Sequence, residues 1–145
     1  WTAAAVLTNQ RTENTPHTGG SQTACMAVGG SSPPAIALVE EYNGTGWTEV
    51  GDINTPRGGM GGAGTTSLMI VWGGSPVTGE TESWDGTAWT EIADLATARN
   101  AGAAAGTTST AALWLMGQTP ISGAAGTSAV EEWTVADAAK TVTTS

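Results

Sequence analysis

An all-β fold built from repeated four-stranded units is what this sequence predicts, and three observations carry that prediction. Two ten-residue stretches nearly coincide, EYNGTGWTEV at 41–50 and SWDGTAWTEI at 83–92. Arginine occurs only at positions 11, 57 and 99. A small or hydrophobic run closing on glycine recurs as AVGG at 27–30, VWGG at 71–74 and LMGQ at 115–118. Landmarks that keep one order through three copies mark an internal repeat. A period of roughly 40–50 residues with four short antiparallel strands per unit describes a β-propeller blade.

The elements of one unit follow in order. WTAAAVLTNQR, WTEVGDINTPR and WTEIADLATAR each lead from a Trp to the Arg that opens the next unit. After Arg57 comes a stretch of small residues, expected to form a first strand over 60–66. Glycine weakens a strand, so such a segment belongs where backbones crowd together. SLMIVW at 67–72 is continuously apolar and reads as a second strand buried on both faces. GETESW at 79–84 alternates and ends on an aromatic. Asn-Gly or Asp-Gly then makes a tight hairpin, because both residues tolerate positive φ. A fourth strand over 88–92 pairs back from Trp89. The aromatic before the turn recurs as Tyr42, Trp84 and Trp133. One blade cannot bury both of its faces, so these aromatics are expected to fill the contacts between blades.

Composition narrows the function. The chain has 145 residues, 21 of them Gly, 7 Trp, and no Phe. Seven Trp argue for a packed core rather than a disordered chain. Thirteen acidic against four basic residues give a net charge of -9. The basic residues stand alone, far apart in sequence, which excludes the clustered cations of a nucleic-acid partner. No apolar stretch approaches the roughly 18 residues of a membrane span, so no membrane insertion is expected. Position 1 is Trp rather than an initiator Met, so the chain is expected to be processed or to be a piece of something longer.

The landmarks resemble the Kelch family of propellers on Arg57, Gly73-Gly74, Trp84-Asp85 and Trp89, and again on Arg11, Gly29-Gly30, Tyr42-Asn43 and Trp47. The third copy departs, with Gly117-Gln118 in place of Gly-Gly and Lys140-Thr141 where Trp-Thr would fall. The resemblance implies a Kelch-like β-propeller of about three four-stranded blades plus one extra outer strand. Residues 1–10 would be the outer strand of a preceding blade and a linker, 11–56 and 57–98 two blades with their linkers, and 99–145 a terminal blade. Propellers close with four to eight blades. The chain is therefore expected to belong to a larger ring, completed by missing upstream blades or by further copies.

The residues that carry chemistry are few. His17 is the only histidine and Cys25 the only cysteine, too few for a zinc site or a catalytic triad. His17 reads as a polar filler beside Pro16, and Cys25, within ACMAV, as a small buried hydrophobe. Glu40-Glu41 and Glu131-Glu132 are neighbours in strands, so each pair points to opposite faces and cannot act as a dyad. Arg11, Arg57 and Arg99 are expected to tie blade connections to backbone carbonyls or to a carboxylate, rather than to form an anion-binding ring. Asn43-Gly44-Thr45 matches a glycosylation pattern, but the hairpin turn already explains it. No catalytic, cofactor-binding or metal residue is expected.

The variable segments SSPPAIA at 31–37, SPVTG at 75–79 and QTPISGAAGTS at 118–128 follow the second strand of each unit and are the expected contact surface. Ala-Gly-Thr-Thr stretches, the N/D-G-T-x-W-T-E motif and the scarcity of Lys and Arg are similar to Kelch-like proteins of bacteriophages. That resemblance implies a non-enzymatic virion protein, structural or surface- and tail-associated. Its contacts would be other virion proteins or a host-surface glycan or protein. The competing reading is a cellular or secreted propeller that binds carbohydrate or protein.

Overall fold

The protein is described by a computed structural model over residues 3–13, 15, 20–119, 126–136 and 139–144. Eleven β-strands and no helix lie among the described residues. The first sheet holds β1 (Cys25–Val28), β2 (Val39–Tyr42) and β3 (Trp47–Glu49). The second holds β4 (Gly61–Gly64), β5 (Met69–Trp72), β6 (Thr81–Trp84) and β7 (Trp89–Glu91). The third holds β8 (Ala103–Thr108), β9 (Ala111–Leu115), β10 (Val130–Ala136) and β11 (Ala139–Thr144). Each sheet is an antiparallel meander in which chain neighbours pair.

The second sheet packs on both neighbours, and β5 shows how. Its side chains alternate between faces. Met69 and Val71 join Met26, Val28 and Val39 of the first sheet in one buried cluster, closed by Trp84 and Trp89. Ile70 and Trp72 join Ala112, Trp114 and Trp133 of the third sheet in another. A strand covered on both sides needs no polar alternation, which is why MIVW reads as a continuous apolar run. Trp72 and Trp114 meet edge to face at 5.9 Å and 83°, a favoured aromatic arrangement. Gly61 in β4 makes room for them. A Cβ there would run into the Trp114 ring and lie 2.5 Å from Trp72 Nε1.

Both turn motifs reverse the chain, but not by positive φ at both residues: only Gly44 and Gly86 are left-handed, and Asn43 and Asp85 act through their side-chain oxygens. Asn43 Oδ1 accepts the N–H of Thr45 at 3.0 Å and of Gly46 at 3.1 Å, and Asp85 Oδ1 accepts those of Thr87 and Ala88 at 2.8 Å. Gly44 and Gly86 take φ of 93° and 95°, which a side chain would oppose. The backbone N–H of Ala88, then that of Thr87, holds the Asp85 carboxyl below its ordinary value. A depressed folded value means that this contribution is present above the unfolded carboxyl value of about 3.9 and is lost as pH falls through the folded value. A carboxyl chemical-shift titration is expected to place Asp85 below a free aspartate. Asp85→Asn should keep the turn, as Asn43 does, and remove that part of the acid sensitivity. A midpoint at or above the free value would contradict the turn geometry.

Four expectations are corrected. First, the glycine pair of the third unit is shifted by one residue. Gly29 and Gly30 have φ of 57° and 116°, Gly73 and Gly74 of 63° and 128°, and Met116 and Gly117 of 57° and 104°. Met116, not Gly117, therefore stands where Gly29 and Gly73 stand. The backbone pairing agrees, since Ser31, Ser75 and Gln118 form the equivalent bridges to Thr12, Gly58 and Asn100. Second, Val142 faces Trp133 as Trp47 faces Tyr42 and Trp89 faces Trp84. Lys140 instead faces Val135, because without an Asp-Gly turn β10 runs on to Ala136 before the chain returns.

Third, residues 3–7 form no strand. Ala5 instead offers its carbonyl to Trp47 Nε1 at 3.1 Å, as Gly51 does to Trp89 Nε1 at 2.8 Å. Fourth, the first sheet shows three strands rather than four among the described residues. Beside β1, Thr12 bridges Ser31, and the Thr15 N–H reaches the Val28 carbonyl at 3.1 Å. Trp1, His17 and residues 120–125 of the third variable segment lie outside the described residues.

Candidate functional site

Each of the three arginines meets a buried carboxylate, and Arg57 also reaches the part-exposed Glu80 at 3.4 Å. Arg57 Nη1 donates to Glu82 Oε1 at 2.6 Å, Arg99 Nη2 to Glu131 Oε1 at 2.5 Å, and Arg11 Nη2 to Glu40 Oε2. All three guanidinium side chains are fully buried, and the carboxylates are nearly so. Each arginine also donates to the carbonyl that closes the second-strand run, Gly29 for Arg11, Gly73 for Arg57 and Met116 for Arg99, and Arg11 and Arg99 donate besides to Leu38 and Ala129 just before the next strand. Each carboxylate reaches in turn to the linker that precedes its arginine. Glu40 accepts the Thr8 N–H at 2.8 Å, Glu82 the Asn54 N–H at 2.7 Å, and Glu131 the Ala96 N–H at 2.7 Å. The linker donor is always the third residue before the arginine. One buried ion pair thus fixes a strand, a linker and a loop in every unit.

This arrangement turns the three guanidinium groups inward, toward carboxylates of their own units. A buried charge is tolerable when paired and hydrogen-bonded, and each guanidinium is, although Arg11 Nε, Arg57 Nη2 and Arg99 Nε find no partner among the described residues. Glu40 and Glu131 are the ion-pair partners, while Glu41 is half-buried and Glu132 exposed, so each neighbouring pair does split between faces. Glu82 was not singled out in the sequence, because TES at 81–83 carries no Glu-Glu pair. A signal was there: Glu40, Glu82 and Glu131 each stand two residues before the frame aromatic. No group of three or more metal-ligating side chains exists among the described residues. Cys25 is half-buried and burial pushes its thiol up, away from the thiolate that reactivity needs.

A cavity of about 20 Å³ lies between the second and third sheets, beside Trp72, Trp114, Trp133 and Leu95. That volume holds about one water. An open groove of about 560 Å³ runs past Leu7, Gln10, Thr12, Ser31 and Pro33. It is continuous with the first variable loop, where Ser32, Pro33 and Pro34 are exposed. Two loops spring from equivalent backbone bridges, Ser31 with Thr12 and Ser75 with Gly58. The Ile36 N–H returns to the Gly30 carbonyl at 2.9 Å, which closes the first loop on itself. Proline-bearing loops held on a rigid sheet frame form a preordered surface.

No family model and no curated protein matches the sequence. Solved structures do match. One of them, described as the structure of YjhT, superposes with a TM-score of 0.73 at 17% identity. The match covers 92% of this chain and 45% of that one, so this chain spans less than half of its neighbour's length. At that identity the likeness concerns the fold alone.

Proposed function

We propose that the three sheets are consecutive blades of a Kelch-like β-propeller, and that the chain is a non-enzymatic virion component, structural or surface- and tail-associated. The observation that carries this reading is where the repeated residues are spent. Every arginine is locked in a buried ion pair within its own unit. Trp84, Trp89 and Trp133 sit in the clusters between sheets. What remains to meet a partner is the proline-bearing loops and an acidic surface. The internal pairs, with Glu80 as a second partner of Arg57 at 3.4 Å, use four of thirteen carboxylates and three of four basic residues, leaving nine carboxylates against Lys140. Such a surface suits a neutral glycan or a basic protein patch and repels phosphate backbones. The virion assignment rests on the resemblance of the repeat to phage Kelch-like proteins.

The test is location. Particles purified by density gradient should carry the chain at a fixed copy number, seen by quantitative mass spectrometry and by antibody labelling of intact particles. Replacing Ser32-Pro33-Pro34 with Gly-Ser-Gly should lower attachment or incorporation without changing the far-ultraviolet spectrum. A chain absent from particles and present in host fractions would reject the virion role in favour of the cellular binding module.

A further inference from the structure

The shifted register at Met116 bears on how an arginine-led turn can meet the third sheet. At both junctions inside the chain, the next unit docks through the carbonyl of its arginine. Gly30 N–H donates to the Arg57 carbonyl at 2.9 Å, and Gly74 N–H to the Arg99 carbonyl at 3.1 Å. The glycine before each donor has no side chain because the carbonyl fills that space. A Cβ on Gly73 would lie 2.6 Å from the Arg99 carbonyl oxygen, and a Cβ on Gly29 would strike the Arg57 carbonyl oxygen. Met116 holds the same place in the third sheet, in the same left-handed conformation, and is 54% exposed.

The rest of that face still looks prepared for a neighbour. Counting back from the left-handed pair, Leu113 and Leu115 correspond to Ile70 and Trp72. Ile70 is 2% exposed against the third sheet, whereas Leu113 is 37% exposed. At the other end of the stack, Cys25, Ala27 and Tyr42 correspond to Met69, Val71 and Trp84, which meet the preceding sheet. A second copy of this chain, bringing its Arg11 turn to the free face of the third sheet, is the occupant most like the existing junctions. Met116 stands in the way of that turn.

We infer that Met116 is a stop. The free face of the third sheet refuses the arginine turn of a second copy in the geometry of the two internal junctions, so copies of this chain do not stack head to tail by repeating those junctions. This goes beyond the proposed function and holds whether or not the protein is a virion component. Glycine occupies the same position in the other two sheets, so Met116→Gly introduces nothing the fold does not already use.

Sedimentation velocity over a wide concentration range, on the intact chain, tests it. The wild type and Leu113→Arg should sediment alike. Met116→Gly should gain larger, concentration-dependent species, at least doubling the weight-average mass, and the Met116→Gly/Leu113→Arg double variant should lose them. Two results would overturn the stop: wild-type self-association that Leu113→Arg abolishes, or a Met116→Gly variant that stays as small as the wild type. Neither result bears on whether particles contain the chain.

Discussion

Arg57→Met is expected to destabilise the protein by about 3–5 kcal/mol, the usual cost of removing one partner from a buried ion pair. The methionine restores some packing volume but leaves the Glu82 carboxylate in a site with 2% side-chain exposure. Urea unfolding read by tryptophan fluorescence gives the number, because Trp84 and Trp89 pack in the cluster beside this pair. Adding Glu82→Leu should recover only part of the loss. The carboxylate also accepts the backbone N–H and the side-chain Nδ2 of Asn54, at 2.7 and 2.8 Å, and leucine leaves both unpaired. A loss below about 1 kcal/mol for Arg57→Met is what exposed pairs give, and it would place the pair in water rather than in the core.

Gly73→Ala should cost about 3 kcal/mol, combining the left-handed penalty for a Cβ with loss of one backbone hydrogen bond. The obstacle is a backbone carbonyl, that of Arg99, which cannot rotate away as a side chain would. The bond at risk is Gly74 N–H to the same carbonyl. Amide exchange at Gly74 should therefore speed up more than exchange within β6 and β7. Met116→Ala, at the equivalent place in the third sheet, should change stability by no more than about 0.5 kcal/mol, as exposed substitutions do. A loss at Gly73 no larger than the left-handed penalty of about 1–2 kcal/mol, with Gly74 exchange unchanged, would mean that the Arg99 carbonyl is not what makes glycine necessary at 73.

The local chemistry of the repeat was legible in the sequence. The spacing of Asn43-Gly44 and Asp85-Gly86 from the flanking aromatics fixes two hairpins, because one carboxyl or amide oxygen and one positive-φ glycine suffice to make the turn. MIVW had to be covered twice, since nothing in it is polar. The arginine role was also readable, because a residue that recurs once per unit belongs to the frame. Less local features escaped. Glu82 is separated from Arg57 by the whole first half of its unit, and TES does not look like Glu-Glu. Gly117 drew the alignment because it is the only glycine near that point, yet φ puts Met116 in the first place of the pair. In the last hairpin the missing Asp-Gly turn let the strands lengthen, so residue counting named Lys140 where pairing gives Val142.

The sequence by itself determined that the chain is all-β, that it repeats three times, and where its arginines and frame aromatics recur. Those are consequences of short-range rules: side-chain alternation, turn chemistry and the spacing of large residues. Only the tertiary structure decided which carboxylate each arginine meets and why glycine is required at positions 29, 61 and 73. Those outcomes depend on groups brought together from distant parts of the chain. Gly61 is small because of Trp114, and Gly73 because of the Arg99 carbonyl. A residue's own neighbours in sequence carry no record of the atom that will occupy the space beside it.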